Sequence, residues 1–147
     1  MDANEELYRE TIIFLNEIKD IRLKCLYLHL IVEGYINQIV KKVFKHPNKI
    51  LDSRFYSFHK KIEILKEMGA IGGTTFHNLK TINNIRNDMA HNLYFAHSVI
   101  DKEFLKIKFP KGTKLPSPNQ ENKISYLVEL TFKDIYEKLK PFFVENI

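Results

Sequence analysis

Cysteine is nearly absent from this chain, which has only Cys25 among its 147 residues. One cysteine cannot form a disulfide within the chain, and it cannot build a cysteine-rich zinc site. The histidines include no His-x-x-x-His pair, the spacing by which one helix face presents two metal ligands. The sequence therefore predicts no metal site and no cofactor.

A long uninterrupted apolar run is also absent. A helix that crosses a bilayer needs roughly 20 apolar residues. The first ten residues, MDANEELYRE, are acidic and polar, unlike a signal peptide. We therefore expect no membrane association, and the cytoplasm is the default location. The longest apolar-rich stretch, residues 23–43, is interrupted by the polar side chains of Lys24, His29, Glu33, Asn37 and Gln38.

Glycine is scarce, and the net charge is modest. The five glycines lie almost entirely between segments of helical periodicity, which favours an all-α fold, and 147 residues suit one domain over 1–147. The net charge of +5 is compatible with a polyanionic partner but does not require one.

About five helices are predicted from periodicity and capping residues. Nothing clearly separates the first two, which together could form one long helix. The alternating residues 104–109 predict a short strand or a strand-like loop in an insertion near 101–120. The expected helices run from a cap at Asn4 to about Asp20, over about 21–45, from a cap at Asp52 or Ser53 to Gly69, from a cap at Thr74 or Thr75 to about Asn92, and over about 123–140. The third is expected to bury one stripe: Phe55, Phe58, Ile62, Leu65 and Met68.

The fourth predicted helix carries polar groups beside its core face. Arg86 lies at the edge of the apolar arc, where a guanidinium loses hydration unless it is paired or reaches solvent. Asn83, Asn87 and His91 follow one another at four-residue spacing next to it. The apolar arc covers about 120° of the helical wheel and consists of Leu79, Ile82, Ile85, Met89 and Leu93, whereas Lys80, Asn84 and Asp88 point away and are expected to be solvated.

Two interpretations of these polar groups remain open from the residues alone. An arginine that is always charged, beside a histidine that titrates near neutral pH, suits a phosphate ester. Alternatively, Arg86 pairs with a core carboxylate and His91 stabilises the carboxyl end of the helix, where positive charge is favourable.

Residues 86–91, RNDMAH, resemble the motif of the HEPN superfamily, in which an arginine and a polar residue precede a histidine after four to six intervening positions. The longer stretch FYSFHKKIEILKEMGAIGGTTFHNLKTINNIRNDMAHNLYF is similar to the corresponding region of the mannitol-operon-repressor-like branch. The resemblance is close over residues 55–95, loose over the preceding helix, and does not extend beyond about Val99.

The resemblance implies a small all-α fold, a homodimer and, in many members, metal-independent cleavage of RNA. Arg86 would stabilise the charge of the phosphorane, His91 would act as general acid or base, and Asn87 would orient His91 or the phosphate. The products would carry a 2′,3′-cyclic phosphate and a 5′-hydroxyl, and two motifs would face each other across the dimer interface. Related toxins have a modified tyrosine two residues after the histidine, but this chain has Leu93 there and its tyrosine is Tyr94.

Two further groups are candidates for supporting roles. Glu33 either faces Arg86 and positions it, or belongs to a solvent-facing stripe of the second helix with Arg22, His29 and Asn37. Asp88 is the other supporting candidate, and His97 could line the cleft. The four lysines of the insertion either follow a phosphate backbone or form a solvated loop; they are Lys106, Lys108, Lys111 and Lys114.

The sequence thus gives two functional hypotheses of different classes. The first is a HEPN endoribonuclease acting on RNA in a defence, toxin–antitoxin or stress-response setting, with an antitoxin as a compatible partner. The second is a non-catalytic HEPN-like regulator that binds another protein.

Overall fold

The structure, a computed structural model, describes residues 3–91 and 97–143, without the side chains of residues 97 and 98. Within this part the protein is all-helical and contains no strand. Leu93 and Tyr94 lie outside the described residues, as does the side chain of His97. The elements are α1 (Ala3–Glu17), α2 (Ile21–Val43), α3 (Asn48–Leu51), α4 (Phe58–Glu67), α5 (Gly73–His91), α6 (His97–Phe104), α7 (Lys123–Leu139) and a 3-10 turn (Lys140–Phe142).

The first two helices are separate. The Asp20 carboxylate accepts hydrogen bonds from the backbone N–H groups of Arg22 at 2.9 Å and Leu23 at 3.3 Å, and so caps α2. The predicted cap of α1 is wrong, because α1 begins at Ala3 and Asn4 lies inside it. The Asn4 amide instead donates to the carbonyl of Phe143 at 2.6 Å, which ties α1 to the far end of the chain.

The central element is α2, which packs against α1, α4, α5 and α7. Its buried residues form one broad face toward these helices, and the opposite face is exposed at Leu23, Leu26 and Leu30. The core around it is closed by α7, whose Phe132 and Leu139 are fully buried. None of the described helices combines the length and the apolar character that crossing a bilayer requires.

Helix α4, which corresponds to the third predicted helix, begins later than predicted. Its cap is Ser57, whose hydroxyl accepts a hydrogen bond from the backbone N–H of Lys60 at 3.3 Å. The predicted caps Asp52 and Ser53 are therefore wrong. Phe58, Ile62 and Leu65 are buried as expected, but Phe55 is 66% exposed and Met68 is 51% exposed, so the predicted stripe fails at both ends.

Of the two alternatives predicted for the insertion, a short strand or a loop, the structure has the loop, and an unpredicted helix precedes it. Helix α6 ends at Phe104, and residues 105–122 then run without regular structure. The loop is fixed to α5 by Asn78, whose amide donates to the carbonyl of Lys108 and accepts from its N–H, both at 2.8 Å. His77 makes a further 2.7 Å hydrogen bond with the carbonyl of Lys106. The Asn78 side chain thus satisfies the backbone C=O and N–H of Lys108, which a neighbouring strand would otherwise do in a sheet.

Replacing Asn78 by alanine is expected to destabilise the protein by about 1–3 kcal/mol, because two backbone groups of Lys108 lose their partner in a half-buried position. Asn78 is 1% exposed, so water does not reach it in the folded state. Urea-induced unfolding measures the change. Asn84→Ala, an exposed asparagine on the same helix, is the control and should change stability by about 0.5 kcal/mol or less. Equal effects of the two substitutions would contradict the assignment.

A buried ion pair joins α2 to α7. Lys24 is 0% exposed, and its ammonium group donates to the hydroxyl of Ser125. The carboxylate of Glu129 lies 3.5 Å from the same ammonium group, an ion pair without a hydrogen bond at that oxygen. A charge so far from water depends on these partners.

Candidate functional site

A cavity of about 290 Å³ lies where α2, the start of α4 and α5 meet. Helix α2 contributes His29 and Glu33, and helix α5 contributes Asn83, Arg86 and Asn87. These residues share one cavity because His29 and Glu33, and likewise Asn83 and Asn87, are four positions apart on their helices. The segment that leads into α4 closes the cavity with Ser57, Phe58 and His59.

At the base of the cavity, His29 is hydrogen-bonded to Asn83. The distance from His29 Nε2 to Asn83 Oδ1 is 3.1 Å, and both residues are buried. The Phe58 ring packs against the imidazole with centroids 4.8 Å apart. An amide oxygen only accepts hydrogen bonds, so Nε2 carries the proton in the neutral ring and Nδ1 keeps its lone pair. That Nδ1 atom lies 3.7 Å from the carboxylate of Glu33.

The surroundings of His29 favour its neutral form. Burial lowers the pKa of the imidazole below its ordinary value, and the positive charge of Arg86 acts in the same direction. The hydrogen bond with Asn83 and the charge of Glu33 raise the pKa; each is weaker than burial, and the effect of Arg86 is the smallest of the four. His29 is therefore neutral at pH 7. If the ring takes up a proton, the neighbouring carboxylate of Glu33 stabilises the imidazolium.

Arg86 lies at the mouth of the cavity, where its side chain is exposed. Its guanidinium donates to Asn87 Oδ1 at 3.1 Å. Among the residues that the structure describes, no carboxylate forms an ion pair with Arg86. A bidentate anion can therefore bind its exposed guanidinium from solvent.

The other residues of the motif lie outside this cavity. His91 is exposed at the last position of α5, and Asp88 is exposed one turn before it. His91 is five positions after Arg86, which corresponds to about 140° around a helix and about 7.5 Å along it. Within one chain, the two side chains therefore point in different directions, and only Arg86 and Asn87 of the motif border the cavity.

The polar stripe of α2 is exposed to different degrees along its length. The expectation of a solvent-facing stripe is wrong for His29, which is 5% exposed, and for Asn37, whose side chain accepts a 3.0 Å hydrogen bond from the buried Lys61. It holds for Arg22, which is exposed. Glu33 borders the same cavity as Arg86, and the described structure contains no ion pair between them.

The lysines of the insertion are all exposed: Lys106, Lys108, Lys111 and Lys114. The ammonium group of Lys106 forms a 2.8 Å ion pair with Glu103. The backbone of this segment is held against α5 by His77 and Asn78, about 12 Å along the helix from Arg86 for an eight-residue separation. The lysines thus lie beside the helix that carries the motif but do not line the cavity.

Sequence reasoning did not identify His29 and Asn83 as a pair. The available signal was a histidine in the middle of an apolar helix, with a glutamate one turn later. Such a group needs a buried hydrogen-bond partner, but the partner is 54 positions away and no local pattern indicates it. Over residues 3–91 and 97–143, no three His, Cys, Asp or Glu side chains are grouped so as to hold a metal ion.

Comparison with known proteins adds no relative to this picture. No family model, no curated protein and no solved structure matches the chain, so the candidate site rests on the geometry of the chain itself and on the resemblance of its motif.

Proposed function

We propose that the chain is a metal-independent endoribonuclease of the HEPN type. The observation that carries this proposal is the environment of Arg86, an exposed guanidinium at the mouth of a polar cavity that forms no ion pair among the described residues. A buried or ion-paired arginine would be structural, whereas this one is available to the phosphate of a bound RNA.

In this proposal Arg86 stabilises the negative charge that builds up on the phosphorane, and Asn87 holds the guanidinium by the hydrogen bond already described. His91 transfers a proton to or from the reacting oxygens. Because Arg86 and His91 of one chain point in different directions, the proposal includes a homodimer in which the motifs of two copies form one cleft. Exposed Ala90 between them is small enough for a second copy to approach closely.

Incubation of the purified protein with RNA in the presence of EDTA tests the proposal. Cleavage is expected to continue without divalent metal ions and to leave a 2′,3′-cyclic phosphate and a 5′-hydroxyl. These ends distinguish attack by the 2′-oxygen from metal-dependent hydrolysis, which leaves no cyclic phosphate. Activity that disappears with EDTA would contradict the proposal, as would a protein that cleaves no RNA.

The lysines of the insertion are proposed to bind the RNA backbone without regard to sequence. Replacing the four by glutamine is expected to weaken RNA binding and to flatten its salt dependence by about 0.7 log–log units for each phosphate that a lysine no longer neutralises. Thermal stability should hardly change, because exposed charges contribute about 0–1 kcal/mol. Replacement of Lys41, Lys45, Lys49 and Lys133, which are exposed elsewhere, is the control. An unchanged salt slope would identify the segment as a solvated loop.

A second candidate function is binding of another protein without catalysis. The observation that favours it is an apolar stripe on the outer face of α2, formed by Leu23, Leu26 and Leu30, which are 45%, 41% and 62% exposed. Leucines at this spacing share one side of a helix, and contiguous exposed apolar surface commonly marks a protein contact. This function replaces the first if the wild-type protein cleaves no RNA.

A further inference from the structure

His29 and Arg86 border one cavity, whereas His91, the histidine of the motif, does not line it. A reaction in which a 2′-hydroxyl attacks a neighbouring phosphate needs a base at the hydroxyl and an acid at the leaving 5′-oxygen. In one chain the motif offers one histidine, His91, which lies outside the cavity. The cavity itself is lined by two histidines; His59 pairs with Glu63 at 3.1 Å, whereas the geometry of His29 suits one of the two tasks.

The tautomer of His29 decides which task it suits. With Nε2–H held by Asn83 Oδ1, the free lone pair is on Nδ1, which faces Glu33 across 3.7 Å. Two acceptors facing each other make no hydrogen bond, so the lone pair remains available. A proton taken up at Nδ1 would place an imidazolium beside a carboxylate, which stabilises the product of the transfer.

We propose that His29 is the general base of the candidate site, which accepts the proton of the attacking 2′-hydroxyl on Nδ1, and that His91 is then the general acid. This inference rests on the proposed ribonuclease function and adds a residue outside the motif. The 2′-oxygen forms a bond to phosphorus, the bond between phosphorus and the 5′-oxygen breaks, and His91 gives its proton to the 5′-oxygen. His29 afterwards releases its proton to water.

The charges around the cavity are compatible with this role. From α2, Glu33 faces the ring; from α5, Arg86 reaches the mouth; and from the start of α4, His59 contributes a ring that pairs with Glu63 at 3.1 Å. Arg86 attracts the phosphate, and burial, with a smaller effect of Arg86, lowers the pKa of His29 and so favours the neutral ring that a base requires. Asn83 prevents the ring from rotating, which is the task of an orienting partner.

Base and acid can be separated with a substrate that needs no acid. The linkage that the wild type cleaves is mapped first, and an RNA is made in which sulfur replaces the bridging 5′-oxygen there. Thiolate is a good leaving group without a proton, so this RNA should restore His91→Ala to nearly the wild-type rate. His29→Gln should remain slow on both substrates, by about 10²–10⁴-fold. His46→Gln, an exposed histidine outside the cavity, is the control and should match the wild type.

Three results would overturn the inference. His29→Gln at the wild-type rate removes the role, and repair of His29→Gln by sulfur makes His29 the acid. Either of these two results is compatible with cleavage that depends on Arg86 and His91, so neither contradicts the proposed function. A wild-type protein that cleaves neither substrate overturns the proposed function itself, and the role of His29 with it.

A second variant tests the base without disturbing the buried ring. Glu33 raises the pKa of His29, so Glu33→Gln should lower that pKa. A base must be deprotonated, and kcat/KM therefore falls as the pH drops below its pKa. The acidic limb of the profile should lie below the ordinary pKa of histidine in the wild type and move further down in Glu33→Gln. A limb at the same pH in both proteins would overturn the inference, even if His29→Gln fails to fold.

Discussion

Alanine in place of His91 or Arg86 is expected to abolish most RNA cleavage while leaving the fold intact. Loss of acid–base assistance at His91 should lower the rate by about 10²–10⁴-fold. Loss of the guanidinium should cost about 10²–10³-fold, as for other groups that stabilise charge in a transition state. Both side chains are exposed, so neither substitution leaves a buried group without its partner. Cleavage rates and thermal melting of the same preparations check both halves of the prediction.

Matched substitutions elsewhere on the surface separate a specific effect from loss of positive charge. Arg54→Ala and His46→Ala remove the same groups at exposed positions outside the cavity. They should leave the cleavage rate within about twofold, because a surface charge that does not contact substrate contributes little at ordinary ionic strength. Full activity of His91→Ala, or equal losses in the controls, would disprove the assignment of the motif.

The largest expected change in stability concerns the buried ion pair between α2 and α7. Replacing Glu129 by leucine leaves the ammonium group of Lys24, which is fully buried, with only the hydroxyl of Ser125. Removal of one partner from a buried pair typically costs about 3–5 kcal/mol. Urea-induced unfolding should detect this easily, because it is a large fraction of the total stability of a small domain.

A double substitution identifies the cause of that loss. Lys24→Met together with Glu129→Leu removes both charges, and the stability should then recover most of the loss, since apolar replacement of a buried pair is often neutral or stabilising. Glu137→Leu, exposed on the same helix, controls for the change of α7 sequence and should cost about 0.5 kcal/mol or less. A double variant as unstable as Glu129→Leu alone would show that the pair is not the reason.

The parts of the fold that the sequence predicted well are long and strongly periodic. The ranges of α5 and α7 agree with prediction to within a few residues, because apolar residues recur at helical spacing in both. The predicted caps Thr74 and Thr75 are nevertheless wrong, since α5 begins at Gly73 and both lie inside it. The start of α4 was misplaced because Asp52, Ser53 and Ser57 are all acceptable caps, and only packing selects among them. Helices α3 and α6 were not predicted. The alternation after Phe104 allowed a short strand or a loop, and the loop forms because this segment docks on Asn78, a contact that spans 30 positions.

The candidate site divides in the same way. Arg86 and Asn87 are neighbours in sequence, so a local motif could select them, and both border the cavity. The position of Glu33 on the same cavity was one of two alternatives, and helical periodicity alone could not choose between them. The pairing of His29 with Asn83 depends on how α2 and α5 lie against each other, which is a property of tertiary packing and not of either helix.

The polar contacts along α2 also affect which arrangement of helices the chain adopts. His29 bonds to α5, and Asn37, eight positions further, bonds to Lys61 of α4. Sliding α2 by one turn, about 5.4 Å, would exchange one leucine or isoleucine neighbour for another at little cost. The same slide would separate both polar pairs, and each unsatisfied buried group costs about 1–3 kcal/mol. The two polar pairs therefore fix the position of α2 along its neighbours and disfavour misaligned packings during folding. Apolar contacts alone distinguish these packings poorly.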